Sequence, residues 1–268
     1  MLLREVEYAR PASVQDALRL LAEHDGARAL AGGQTLINVM KARAASPDVL
    51  VDLNRLDDLR GIDLGGDGTL TVGAMVTYTQ IVESAEARAR PILGEVCNQI
   101  ADVQVRNRGT VGGNVCSNDP TNHLPPLLVA LGATMTVAGS GGERDVTAQD
   151  FFLGVYLTAV GPGELLTRIA IPPGRNDGFA SVPIGRDGTC IVNAAVSLDG
   201  DAVRVAIGCV DAVPVLLTPS SAEADAVRDA VRGANLDPPS DVHASADYRR
   251  HLAEVVAVRA AHLAGEGR

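Results

Sequence analysis

The sequence predicts an α+β protein in two parts, a mixed N-terminal domain followed by a smaller domain of sheet and helices. Three observations predict it. Short apolar runs bounded by turn signals alternate with amphipathic stretches through most of the 268 residues. After the double proline Pro172-Pro173 the pattern changes to two alternating runs and then two helical stretches. That break, near residues 172–178, divides the chain into 1–174 and 175–268. Finally, two loops carry adjacent glycines, Ala31-Gly32-Gly33-Gln34-Thr35-Leu36 and Thr110-Val111-Gly112-Gly113-Asn114, each joining an apolar segment to an expected helix.

Residues 13–23 read as a helix, with Ser13 as cap, Val14, Ala17, Leu18 and Leu21 on one face and Gly26 as the stop. Residues 28–31 read as a buried strand entering the first glycine loop. Strands are expected at 49–53 and 69–72, with a turn at Gly65-Gly66-Asp67-Gly68 between them. Thr77-Tyr78-Thr79-Gln80 has the form of a capping box, and a second helix places Ile92, Leu93, Val96, Cys97 and Ile100 together. Pro125-Pro126 opens a helix that runs through Leu131 to a stop at Gly132. Strands follow at 134–137 and 165–171. Val192, Ala194, Val196 and Leu198 then alternate, Asp199-Gly200-Asp201 turns, and Val203, Val205 and Ile207 alternate again, which predicts a hairpin. Helices at 222–231 and 248–264 complete the chain.

Composition narrows the function. Hydrophobic residues make up 46% and charged residues 21%, ordinary for a globular protein, so disordered and collagen-like classes drop out. A formal charge of −10 argues against a nucleic-acid partner, which needs a basic surface. No apolar run approaches the ~20 residues of a membrane span. Glu5 and Glu7 stand where a signal peptide needs its apolar region, so the expected location is the cytoplasm. Cys97, Cys116, Cys190 and Cys209 are too scattered for an iron–sulfur or zinc pattern, and the five histidines form no ligand motif. Metal chemistry is therefore expected from a partner.

The glycine loops match neither G-x-G-x-x-G nor G-x-x-x-x-G-K-[ST]. Glycine pairs reach φ > 0 without a Cβ clash, so consecutive N–H groups can turn inward and cradle an anion. One loop alone reads as a tight turn. Two, with Gln34, Thr35, Thr110 and Asn114 as neutral donors, read as a clamp on a pyrophosphate. Between them, Arg106 and Arg108 read as solvated charges, or as serving an acidic partner or the phosphates. Asp119-Pro120 is a turn signal, with a carboxylate near a ribose as the functional reading. His123 reads as a hydrogen-bonded core histidine, since no nucleophile adjoins it. Without acid–base machinery, a cofactor-binding chain is most simply an electron or hydride carrier.

These residues resemble the FAD-binding medium subunits of the molybdenum hydroxylases, the group of carbon monoxide and xanthine dehydrogenases. The resemblance runs nearly end to end. It includes Leu30-Ala31-Gly32-Gly33-Gln34-Thr35-Leu36, Val51-Asp52-Leu53, Val72-Gly73-Ala74-Met75, the run from Gln104 to Asn114, Asp150-Phe151-Phe152 and Tyr248-Arg249-Arg250. It implies a two-part FAD-binding domain of the vanillyl-alcohol oxidase (PCMH) type and a small C-terminal domain. It places Ala31, Gly32, Gly33, Gln34, Thr35, Leu36, Thr110, Val111, Gly112, Gly113 and Asn114 around the FAD pyrophosphate. Ile100 and Ala101 would lie along the cofactor, and Leu166 would touch it near the flavin. The implied partners are a 2Fe–2S small subunit and a molybdopterin large subunit, with NAD, a quinone or oxygen as acceptor.

Two positions depart from the family pattern. In Asp119-Pro120-Thr121-Asn122-His123-Leu124-Pro125, His123 stands where a carboxylate near the cofactor is usual, and Pro183, with Arg186 close by, replaces a frequent lysine. A stand-alone FAD-dependent oxidoreductase and a flavin-free scaffold subunit are the alternative readings.

Overall fold

Aliphatic and β-branched runs build a three-stranded, a five-stranded and a four-stranded sheet in the described residues, with a small hairpin beside them. The structure is a computed structural model that describes residues 3–174, 176–185 and 189–266, so Arg186 lies outside the described residues. The chain begins with β1 (Glu7–Ala9), α1 (Val14–Glu23), β2 (Ala27–Leu30), α2 (Leu36–Lys41) and β3 (Val49–Asp52). These strands are parallel in the order β1-β3-β2. Central β3 is buried at all four residues, as a parallel strand covered on both faces should be. Ala17 and Leu21 of α1 pack on it, with Ser13 capping the helix at the Asp16 N–H (3.1 Å).

Next come β4 (Ile62–Leu64), β5 (Leu70–Gly73), α3 (Tyr78–Glu83), α4 (Pro91–Gln99), α5 (Val103–Arg108), α6 (Val111–Ser117) and α7 (Leu124–Ala130). They are followed by β6 (Thr134–Gly139), β7 (Gly142–Thr147), α8 (Ala148–Phe151), β8 (Phe152–Gly154), β9 (Leu157–Thr158) and β10 (Leu165–Ile171). The second sheet is antiparallel in the order β4-β5-β10-β6-β7. The expected capping box at Thr77 and Gln80 is present, and Gly132 ends its helix at φ +67°. The expected turn at 65–68 is present and joins β4 to β5, while β3 belongs to the other sheet. β1, β4 and β7 are mostly exposed edge strands, so they carry no apolar alternation to read.

The last part is a meander of β11 (Asn176–Pro183), β12 (Cys190–Asp199), β13 (Ala202–Gly208) and β14 (Val215–Leu217), then α9 (Ala224–Gly233) and α10 (Ala246–Gly265). The β12–β13 hairpin has the expected register, Val196 opposite Val205. One face of this sheet packs Val192, Ala194, Val196 and Val205 against Leu252, Val256, Ala257 and Ala260. A Cβ at Gly178 would lie 1.9 Å from the Ala260 carbonyl, so glycine lets α10 sit directly on β11. The other face sends Phe179, Ala195 and Ala206 into the core of the five-stranded sheet.

A buried ion pair spans the same junction. Arg90, at the head of α4, meets Asp177 of β11 with Nε–Oδ2 2.7 Å and Nη2–Oδ1 2.8 Å. It also donates to Ser197 Oγ (3.0 Å) and to the Pro172 carbonyl. Both side chains are almost wholly buried, so each charge depends on the other. Asp177→Ala, which strands the guanidinium, should cost about 3–5 kcal/mol in urea unfolding, and the double change Arg90→Met with Asp177→Leu should recover most of it.

Candidate functional site

The two glycine loops meet, and they do so because side chains are missing. A Cβ on Gly32 would stand 2.1 Å from the Arg108 carbonyl oxygen, and one on Gly112 would stand 2.6 Å from both Cβ and O of Ala74. One on Gly113 would reach the Ala31 Cβ at 3.8 Å. Only Gly33 has positive φ, +75°. The expectation that both pairs serve left-handed turns is thus corrected: Gly32 and Gly112 are needed for close backbone approach, and Gly112 and Gly113 lie inside α6.

The loops also differ in what their amides do. In the second, Val111 N–H donates to Val76 O (2.9 Å), Gly112 N–H to Ala74 O (2.9 Å), Gly113 N–H to Thr110 Oγ1 (3.0 Å) and Asn114 N–H to Thr110 O (3.0 Å). Its amides are spent on the fold and cannot cradle an anion, contrary to expectation. In the first, every carbonyl from Ala31 to Thr35 is engaged. Ala31 O accepts from Asn54 Nδ2 (2.9 Å), Gly32 O from Gln34 Nε2 (3.2 Å) and Gly33 O from Ile37 N–H (3.1 Å). Gln34 O accepts from Asn38 Nδ2 (2.7 Å) and Thr35 O from Val39 N–H (3.0 Å). No acceptor among the described residues meets the N–H groups of Gly32, Gly33, Gln34, Thr35 and Leu36, and these residues are partly or fully exposed. Five successive unmet donors running into a helix start are what an anion cradle requires.

A buried carboxylate steadies that cradle. Asp52, 5% exposed, accepts from Tyr8 Oη, from Asn54 N–H (2.9 Å) and from Asn54 Nδ2 (2.7 Å), with Arg10 Nε at 3.6 Å. Burial pushes its pKa up, but the Tyr8 and Asn54 bonds and the Arg10 charge prevail and hold it below the ordinary value. The Asn54 amide therefore bridges Asp52 to the Ala31 carbonyl. Val51-Asp52-Leu53 was legible as a motif, but Asp52, Asn54 and Tyr8 were not marked as supports of the site.

Asn114 supplies the second loop's polar contribution. Its side chain neighbours the Tyr78 phenol, whose proton affinity is raised by burial and opposed by Asn114. Among the described residues, the buried Asn114 Oδ1 meets no hydrogen-bond partner. An orphaned acceptor of this kind is destabilising on its own and suits a ligand N–H.

Ile100, Val111 and Leu166 lie in one apolar cluster, with Ala101 packed against it. Ala101 is held at φ +46°, and Arg106 Nη1 donates to the carbonyls of Ile100 (3.0 Å) and Ala101 (2.6 Å). Arg106 is thus a backbone clamp on this segment rather than a solvated charge, whereas Arg108 is exposed. Asp119 makes the turn read from sequence, accepting from Thr121 N–H (3.0 Å) and Tyr156 Oη (3.2 Å). His123 is 3% exposed and stacks on Phe179 at 5.3 Å, away from the amide cradle in its contacts. Its neighbour Asn122 donates to the Asn114 carbonyl (3.1 Å).

The cradle, the glycine crossing and the unmet Asn114 oxygen fit a large phosphate-bearing ligand with an N–H edge. Comparison with known proteins agrees. Residues 4–174 match the family described as the FAD binding domain in molybdopterin dehydrogenase. The medium chain of carbon monoxide dehydrogenase from Afipia carboxidovorans is 37% identical over 96% of both chains. The medium chain of glyceraldehyde dehydrogenase from Sulfolobus acidocaldarius is 33% identical over 96% of this chain and 97% of its own. The reconstituted CO dehydrogenase of Oligotropha carboxidovorans superposes over 100% of both chains with a TM-score of 0.92 at 35% identity.

Burial lowers the His123 pKa from 6.5 to about 4, against the pull of the Thr121 backbone. Between these values the unfolded chain takes up a proton that the folded protein refuses. The stability of the neutral, buried ring is therefore full above pH 6.5 and is lost as pH falls toward 4. Urea unfolding at about pH 7.5 and about pH 4.5 should show a stability loss about 2–3 kcal/mol smaller in His123→Gln than in the parent.

Proposed function

The chain belongs to the FAD-binding medium subunits of the molybdenum hydroxylases, and on that premise we propose that it is the electron-transfer subunit of such a complex. It takes electrons from 2Fe–2S clusters of a small partner subunit and delivers them to an external acceptor such as NAD, a quinone or oxygen. Substrate oxidation belongs to a molybdopterin large subunit. The fold reading that accompanies this is the vanillyl-alcohol oxidase (PCMH) type over 1–174, with a C-terminal domain over 175–268, and the location is the cytoplasm. Among the described residues no helix is long and apolar enough to cross a membrane.

The observation that carries the proposal is the first loop, whose carbonyls are all engaged while five amides meet no acceptor among the described residues. Gly32, Gly33, Gln34, Thr35 and Leu36 would hold the FAD pyrophosphate by these N–H groups, with Ala31 fixed behind them by Asn54. Neutral donors suffice for this, because backbone amides at a helix start already favour negative charge. Thr110, Val111, Gly112 and Gly113 support the cradle by their close packing, and Asn114 offers its unmet oxygen. Ile100 and Ala101, clamped by Arg106, and Leu166 would give the flavin an apolar flank that excludes water. Bound FAD supplies the conversion between single-electron and paired-electron transfer. His123 supports this site through the Asn122–Asn114 contact rather than through its ring.

Gly32→Ala should lower FAD affinity at least tenfold in a fluorescence titration, because the added methyl collides with backbone. Gly66→Ala, where a Cβ meets nothing within 4 Å, should leave it unchanged. Equal FAD binding by Gly32→Ala, or a parent protein that takes up no FAD, overturns the cradle assignment. Direct reduction of the bound flavin by a small organic substrate, without an iron–sulfur donor, overturns the electron-transfer role.

A further inference from the structure

Away from the cradle, two thiols face each other at the end of the C-terminal hairpin. Cys190 opens β12 and Cys209 follows β13, adjacent strands that pair at Asn193 and Gly208. Their Sγ atoms are 3.2 Å apart, and both residues are buried. Cys209 has φ +68°, a left-handed backbone that a β-substituted residue adopts only when its surroundings impose it. Asn193 Nδ2 donates to Cys190 Sγ (3.0 Å), and Cys190 lies 3.5 Å from the Thr121 carbonyl. The buried guanidinium of Arg249 donates to the carbonyls of Ile191 (2.6 Å) and Cys209 (3.4 Å). Cys209 also borders a narrow cleft lined by Asp119, Pro120, Asp211 and Val213.

We propose that Cys190 and Cys209 form a reversible intramolecular disulfide when the protein meets a small hydroperoxide. A disulfide needs about 2.05 Å between sulfurs, so closure takes a shift of about 1 Å, within reach of side-chain torsions. The Cys209 sulfur attacks one peroxide oxygen; the O–O bond breaks and the first water leaves with the thiol proton. The resulting sulfenic acid is attacked by Cys190. The S–S bond forms, the S–O bond breaks, and hydroxide leaves with the Cys190 proton as the second water. Two thiols lose two electrons, and one hydrogen peroxide becomes two waters. The contact with Cys190 and burial raise the Cys209 thiol well above its usual value, with Arg249 pulling the other way, so the reaction is slow. The burial of both residues restricts it to a small oxidant.

The pair is connected to the cradle side of the molecule. Asn193 Nδ2 is shared between Cys190 and the Asn122 carbonyl (3.2 Å), and Asn122 in turn holds the Asn114 carbonyl. Closing the disulfide alters the first of these bonds.

The full-length protein treated with hydrogen peroxide should lose two of its four thiols and two hydrogen masses. Non-reducing peptide mapping should recover a 190–209 crosslink that dithiothreitol reverses. Cys97 and Cys116, neither of which has a second thiol in contact among the described residues, should enter no intramolecular crosslink and serve as internal controls. Cys190→Ser and Cys209→Ser should each abolish the crosslink. Retention of both thiols under peroxide that oxidises a free cysteine peptide overturns the proposal, as does oxidation of Cys209 to the sulfinic acid with Cys190 intact. The mapping is made on the parent protein, so it stands even if a variant folds poorly.

Discussion

At Gly32 the backbone passes so near the Arg108 carbonyl that no side-chain carbon fits between them, and the arrangement of the site follows from that crossing. It sets the first loop of the parallel sheet against the α5–α6 corner. Gly112 repeats the device one layer deeper, letting α6 rest on Ala74 beyond the end of β5. Side chains usually keep backbones well apart, and here their absence brings peptide dipoles of separate segments into contact.

From that contact comes a division of polarity. Along the first loop the carbonyl oxygens are drawn into the protein by Asn54, Gln34, Asn38 and the first turn of α2, leaving the N–H side facing outward. The second loop spends its amides on Val76, Ala74 and Thr110 and so becomes rigid rather than receptive. One loop receives and the other braces. An acidic chain can in this way offer a localised positive face without a lysine in it.

Much of this was legible in the sequence where the signal is local. The Ser13 cap, the Thr77–Gln80 box, the Pro125-Pro126 helix start and the hairpin around Asp199-Gly200-Asp201 depend on neighbours a few residues away, and the structure has them. The glycine pairs were visible too, but the reason for them was not, since it lies in Arg108 and Ala74, far along the chain. Arg106 looked like any surface charge because its acceptors are backbone carbonyls, which a sequence does not distinguish. Asp52 was hidden for another reason: Asn54 is only two residues on, but the Tyr8 hydroxyl that completes its shell comes from a distant segment. The edge strands β1, β4 and β7 have no buried face to impose a period.

The Arg90–Asp177 pair, with Phe179 beside it, bears on how such a chain can change over generations. A change of pattern near Pro172-Pro173 invites the picture of two cassettes that recombination could exchange. Any incoming C-terminal segment would have to bring both an acid and a hydroxyl for Arg90 and an aromatic for the ring of His123. A transplant lacking them leaves a bare charge and an open seam in the larger core. A cut near Pro172-Pro173 is therefore a poor place for genetic exchange, because it separates groups that depend on each other.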